Sequence, residues 1–503
     1  MEKKNNIVKI LIFVGIGLLA LLGIIFFMTK IVFKNNSVKT STSKAFFIRS
    51  SKENKFAIYG RDGTKKTDFI YKEKGEFING YAVVTYSDNT KAIVNENGKD
   101  VIKKGEYKYI FYSGGHFLLL TQEKNKLLDR NLKVVKEGKN LTMLSTYLKE
   151  MSIVADEAKI YFYSSNGKLM YEIEGEKYIS SFDIVARENT VDKIASVNYK
   201  KKNYVFDLKN EKFVVSVDAG LTIGAALTDK VNRNSYVVFG DKDYIVSNNK
   251  VVAEKEKSSI RVENYNIIYK SQVILNNNGE VGIEFDKESK ISFNSPNSYL
   301  RELKDSKKIE VYSDGKLKTT IDGILTRSGI ASGYVKDPYY VIRNKDKYLL
   351  IDKEGKTLMS YDFILDVNIS ENMVKVKDAG KYYYVDLNNK ELTTKSDSES
   401  FVKLGNRFYF SKKDKLIDCK TNEELNYTLY RISRTGRYEH NDDDKYAILR
   451  NNKTSKYALF NTKENKVVGE YDKPINLQEN YYEVDHEYYS YVNYKAFYNN
   501  KTK

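Results

Sequence analysis

The chain has 503 residues, of which 30% are charged and 41% hydrophobic, a balance that marks a globular class and excludes a disordered one. A single Cys rules out an intramolecular disulfide, and three Pro, no Trp and 42 Tyr give an unusual composition. Of the net charge of +17, residues 1–44 carry +6 (seven Lys and one Glu), and the remaining +11 over the rest is a solvated surface with no nucleic-acid footprint.

Residues 1–9 form a short basic tail. Residues 10–28 are uncharged and almost wholly apolar, long enough to cross a hydrocarbon core of about 30 Å as a helix. No small-residue cleavage site follows, since Thr29-Lys30-Ile31-Val32-Phe33-Lys34 is wrong for one, so the run is expected to remain as a transmembrane signal-anchor. Lys3, Lys4 and Lys9 precede the run and Lys30, Lys34, Lys39 and Lys44 follow it, which divides the positive-inside signal. The short basic start favours placing the bulk of the chain outside a bacterial cell membrane. Residues 29–44, rich in Ser and Thr toward their end, read as a linker.

From residue 45 onward, short β-favouring runs alternate with turns. The clearest unit spans residues 347–356: Tyr348 to Ile351 is an apolar run, and Asp352-Lys353-Glu354-Gly355 is turn chemistry. Asp bonds its own backbone two residues on, and Gly takes positive φ without a Cβ penalty. The same frame places Gly63, Gly98, Gly167, Gly279, Gly315 and Gly355 at equivalent turns. Copies without the Gly occur at 126–129, 204–207, 244–246, 382–386, 416–418 and 456–460. About twelve copies at a mean spacing near 36 residues are repeat-architecture spacing.

Gly98-Lys99-Asp100-Val101-Ile102, followed by Tyr107-Lys108-Tyr109-Ile110-Phe111, and the strand Gly80-Tyr81-Ala82-Val83-Val84 resemble the WG (KWG) repeat. The resemblance covers roughly residues 50–500, without the namesake Trp. It implies a repeat pattern and carries no shared catalytic residues.

Each repeat offers three or four strands, for example 80–86, 91–95, 99–103 and 107–112. Four-stranded meanders repeated at this length are β-propeller blades. The expected fold is therefore all-β, preceded by one transmembrane helix, with two tandem propellers at 45–270 and 271–503. The break near 270 is set by the shortest spacing between copies. An open β-solenoid is the competing architecture.

Chemistry is sparse. His116, His440 and His486 have no metal-ligand spacing, and 329–333 misses the nucleophile-elbow spacing by a residue. Asp442, Asp443 and Asp444 are the candidates for a cation, although they lack the spaced ligands of an EF-hand. Cys419 reads as a small core residue, and Lys200-Lys201-Lys202 as solvated charge or an attraction for polyanions. Tyr488, Tyr489, Tyr491 and Tyr494 concentrate aromatics near the C-terminus and are candidate binding residues, with strand packing as the alternative. No catalytic residue and no cofactor is expected.

Three functions remain: a surface-anchored, non-enzymatic scaffold for protein partners, a receptor for anionic wall polymers or glycans, and a propeller hydrolase. Converging buried carboxylates would favour the hydrolase, and a concave basic pocket lined by Tyr the receptor. A polar channel with an exposed apolar patch would favour the scaffold.

Overall fold

The computed structural model describes residues 43–500, apart from short stretches of which the longest are 326–338 and 433–444. The apolar run 10–28, His440, Asp442, Asp443, Asp444 and the 329–333 turn lie outside the described residues. Among the described residues no helix is long and apolar enough to cross a membrane, and every regular element is a β-strand.

Twelve antiparallel sheets follow one another along the chain, most of them four-stranded meanders in which each strand pairs with the next. This is a β-propeller-like repeat fold. In the eighth sheet, Tyr339–Asn344 pairs with Lys347–Asp352, which pairs with Thr357–Tyr361. The third strand carries the apolar run that periodicity singles out. The turn after it closes with Gly355 N donating to Asp352 O (3.0 Å) and Asp352 N to Lys356 O (3.0 Å), while Asp352 Oδ1 accepts from the amides of Glu354 and Lys356. Gly355 sits at φ 84°, and a Cβ there would collide with the methyl of Thr319 in the preceding sheet. The other five turn glycines are also left-handed, from φ 73° at Gly315 to 89° at Gly167. A register shift beside this turn recurs, as at Phe162/Tyr163, Val205/Phe206 and Leu350/Ile351, so a β-bulge adds twist at the outer edge of the repeat.

The core is divided into clusters, most of them shared by two consecutive sheets. Phe162 and Phe206 pack the third sheet on the fourth, with ring centroids 4.8 Å apart. Val205, Val215 and Tyr236 pack the fourth on the fifth. The ninth and tenth meet through Tyr384, whose ring lies 5.5 Å from Phe401 and 4.9 Å from Phe408. The sequence of contacts then returns to its start. Phe46, Ile48, Tyr59 and Phe69 of the first sheet pack on Tyr481, Tyr488, Phe497 and Tyr498 of the last. Ser490 Oγ donates to Arg61 O (2.6 Å), Asn493 Nδ2 to Asp62 O (3.1 Å), and Ser51 N to Asn500 Oδ1 (2.9 Å). An open solenoid would leave these ends apart.

Residue 270 does not separate two sheets. It lies in the turn joining Asn266–Tyr269 to Val273–Leu275 inside the sixth sheet. Lys270 and Ser271 both take positive φ (48° and 61°) in that tight turn, which brings neighbouring copies close in sequence within one sheet.

The first sheet has six strands because it holds two repeats joined through one pair, Phe56 with Tyr71. The earlier repeat begins with Ala45–Ser50 and Lys55–Gly60. Its next turn has the third-to-fourth-strand signature, with Gly60 N donating to Thr64 O and Gly63 N to Gly60 O, and Lys65 bridges back to Tyr59. The phase of that turn makes Lys55–Gly60 a third strand and Ala45–Ser50 a second. Among the described residues this repeat has no first strand.

Candidate functional site

A cavity of about 630 Å³ opens where that first strand is missing. One wall is the second strand itself, through Ala45, Phe46 and Phe47. Phe77 of the loop after Tyr71–Lys74 stacks on Phe47 (4.8 Å), and Tyr481 of the last sheet stacks on Phe46 (5.5 Å). Tyr112 lines it from the second sheet. Burial pushes the Tyr481 phenol up to about 12, so it stays a neutral donor.

Four cations line the same space: Arg61, Lys74, Arg130 and Lys149. The backbones of Arg61, Arg130 and Lys149 are fixed by side chains of neighbouring repeats. Ser490 holds Arg61, as above. Asn79 Nδ2 donates to Arg130 O (3.3 Å) and to Asn131 Oδ1 (2.9 Å). The Glu188 carboxylate accepts the amides of Lys149 (2.8 Å) and Glu150 (3.0 Å), and burial raises its pKa. The side chains of the four cations, by contrast, make no ion pair or side-chain hydrogen bond with a described residue, and Arg61 Nε is buried without a partner. Of the two lining carboxylates, Glu150 is paired to Lys193 (2.5 Å) and Glu76 is exposed. The cavity is concave, basic and aromatic, with more cation than the described residues neutralise.

Arg61, Arg130 and Ser165 occupy one equivalent position, the second residue of the turn between third and fourth strands. The three turns share the same backbone bonds, Gly63 N to Gly60 O, Leu132 N to Asp129 O and Gly167 N to Ser164 O. Aligning the turns, not searching for a linear motif, is the signal that finds them. Lys74, Lys149 and Tyr481 have no such signal.

The residues singled out from sequence lie elsewhere. Tyr489 stacks on Tyr482 (5.1 Å), Tyr491 on Tyr446 (4.5 Å) and Tyr488 on Tyr481 (4.8 Å). Tyr494 Oη accepts from Asn461 Nδ2 (2.8 Å). All four fasten the last sheet to its neighbours. Lys200 and Lys201 form a two-residue hairpin turn, and Lys200 pairs with Glu176 (2.5 Å). Cys419 is buried, which pushes its thiol up to about 12. His486 lies 3.6 Å from Glu483 at the surface. His116 is enclosed in the core, with Nδ1 2.8 Å from Ser152 Oγ. Among the described residues no group of three or more His, Cys, Asp or Glu is placed to hold a metal.

No family model matches the chain, and no curated protein does. Solved structures similar to it include a eukaryotic initiation factor, at 11% identity over 86% of this chain and 96% of that one, with a TM-score of 0.26. BamB from Moraxella catarrhalis matches at 10% identity over 68% and 92% of the two chains, TM-score 0.21. Kluyveromyces lactis Hsv2 matches at 10% over 56% and 96%, TM-score 0.20. Likenesses at this level transfer no residue roles.

Proposed function

We propose that the protein is a non-catalytic binding module whose cavity at the meeting of first and last sheets captures an acidic ligand. The observation that carries this is the convergence of Arg61, Lys74, Arg130 and Lys149, unpaired by carboxylates among the described residues, on a cavity walled by aromatic rings. Clustered cations beside low-dielectric walls focus a field that attracts anions, and aromatic faces add contact area. The test compares two triple variants of equal charge. Arg61→Gln/Arg130→Gln/Lys149→Gln should weaken calorimetric binding of poly-glutamate about tenfold. Lys201→Gln/Lys209→Gln/Lys257→Gln, away from the cavity, should leave it near the parent value. Equal losses would reduce the effect to net charge and end the proposal. Hydrolysis of a wall glycan, lost on Glu76→Gln or Glu150→Gln, would replace the binding role with an enzymatic one.

This reading places a WG-like repeat scaffold on a membrane anchor at 10–28, displayed outside the cell to acidic partners. The full chain should sediment with membranes and resist extraction by high salt; release by salt alone would remove the anchor.

A further inference from the structure

Among the described residues the cavity stands where the repeat has no first strand, and its shape names an occupant more narrowly than its charge does. This inference rests on the acidic-ligand reading above. In the fourth sheet the second strand, Ile194–Tyr199, is buried at every residue and lies between a first and a third strand. Among the described residues its counterpart Ala45–Ser50 pairs only with Lys55–Gly60. Arg61 N donates to Lys44 O (3.2 Å), which fixes the phase of that ladder. Residues 44, 46, 48 and 50 therefore bond to the third strand, while 45, 47 and 49 turn their amides and carbonyls to the open side. Ser43 Oγ closes the first of these, donating to Ala45 O (2.7 Å) and accepting from Ala45 N (3.2 Å). Among the described residues nothing pairs with the edge of Phe47 and Arg49, and they are the two residues of this strand that are not buried.

We propose that an extended acidic peptide segment of a partner protein adds to this edge as the missing first strand, its carboxylates meeting Arg61, Lys74, Arg130 and Lys149. Strand addition gives affinity through main-chain bonds, and side-chain pockets give selectivity. Alternate side chains of an added strand point to the same face, so carboxylates at every second position reach the cations together. The residues just upstream, 33–42, carry Lys34 and Lys39 and no carboxylate, the wrong charge for a site already holding four cations. A globular anion would satisfy the cations but leave the edge of Phe47 and Arg49 unpaired.

The test uses the full chain and a fluorescent peptide of about ten residues alternating Glu with Val. Saturable binding is expected, weakened about threefold or more by Arg61→Gln or Arg130→Gln. Lys149→Gln, an exposed side chain, serves if Arg61→Gln fails to fold. N-methylation of the amides in one alternate register should abolish binding, and the same change in the other register should be tolerated. Equal binding of both N-methylated peptides would overturn strand addition while leaving the acidic-ligand reading in place. Preference for an oligogalacturonate, or displacement by a peptide of residues 33–42, would do the same. Failure of every acidic probe would remove both readings.

Discussion

Two seams of the molecule solve the same packing problem differently. Between the fourth and fifth sheets, Arg233 Nε and Nη2 donate to the Asp207 carboxylate at 2.9–3.1 Å, and Tyr236 Oη donates to it at 2.9 Å. The amide of Asn210 adds a further donor (3.2 Å). Asp207 is fully enclosed at 0% exposure and Arg233 at 5%, and these donors hold the carboxyl below the usual range although burial opposes it. The seam between last and first sheets has no such ion pair among the described residues. It consists of rings such as Phe497 on Tyr59 (5.4 Å) and Tyr498 on Phe69 (5.2 Å), with hydrogen bonds mostly to main-chain carbonyls. Sheets joined by a short link meet in a fixed register, and a buried charge pair is tolerated only where every donor arrives in place. The ends of a long chain meet without that constraint, and stacked rings accept small shifts that a forked ion pair does not. The cavity lies beside the adaptable seam.

Breaking the ionic seam should have the largest effect. Asp207→Ala leaves the Arg233 guanidinium buried and alone, and should destabilise the protein by about 3–5 kcal/mol in urea unfolding. A loss below about 1 kcal/mol would mean that water reaches the site and that the two seams differ little.

The core beneath the cavity gives a pH-dependent term. Burial pushes His116 down to about 4 from an ordinary 6.5. Its Nε2 is enclosed without a partner, while Ser152 Oγ, facing Nδ1, donates to Ser113 O (2.6 Å). The folded state thus favours the neutral ring. The stabilisation is complete above about pH 6.5, falls as pH drops, and is lost through pH 4, amounting to about 3 kcal/mol. His116→Gln should flatten that part of the stability profile relative to the parent, and an unchanged slope between the two would place the titration elsewhere.

Phe497→Ala at the closing seam should cost less, about 1–2 kcal/mol, because the ring is half-buried. Hydrogen exchange should quicken at residues 45–60 and 475–499 and stay unchanged at 205–236. Uniform acceleration would show that the seams open as one unit.

Strand content and turns were legible because Asp/Asn-x-x-Gly chemistry is local. What the sequence hid are turns made by other residues. The last sheet escapes a scan for Gly turns because Tyr494 takes the left-handed conformation there (φ 57°). Its tyrosines then stand out as an aromatic cluster when they are ordinary strand residues. Lys270-Ser271 likewise conceals a hairpin, so the spacing around it suggests a boundary at a point that lies inside a sheet. The site was the least legible part. Tyr481 joins Arg61 in the cavity only because the chain returns on itself, and a first strand lacking among the described residues leaves no mark in composition.

The return of the chain to its start has a consequence for synthesis. The apolar face of Phe46, Ile48 and Tyr59 is covered by residues 481–498, which leave the ribosome long after it. At roughly 5–20 residues per second, that face waits on the order of tens of seconds for its cover. For that interval the nascent chain presents an open β-edge and a greasy patch side by side, the combination that invites mispairing between neighbouring chains on one message.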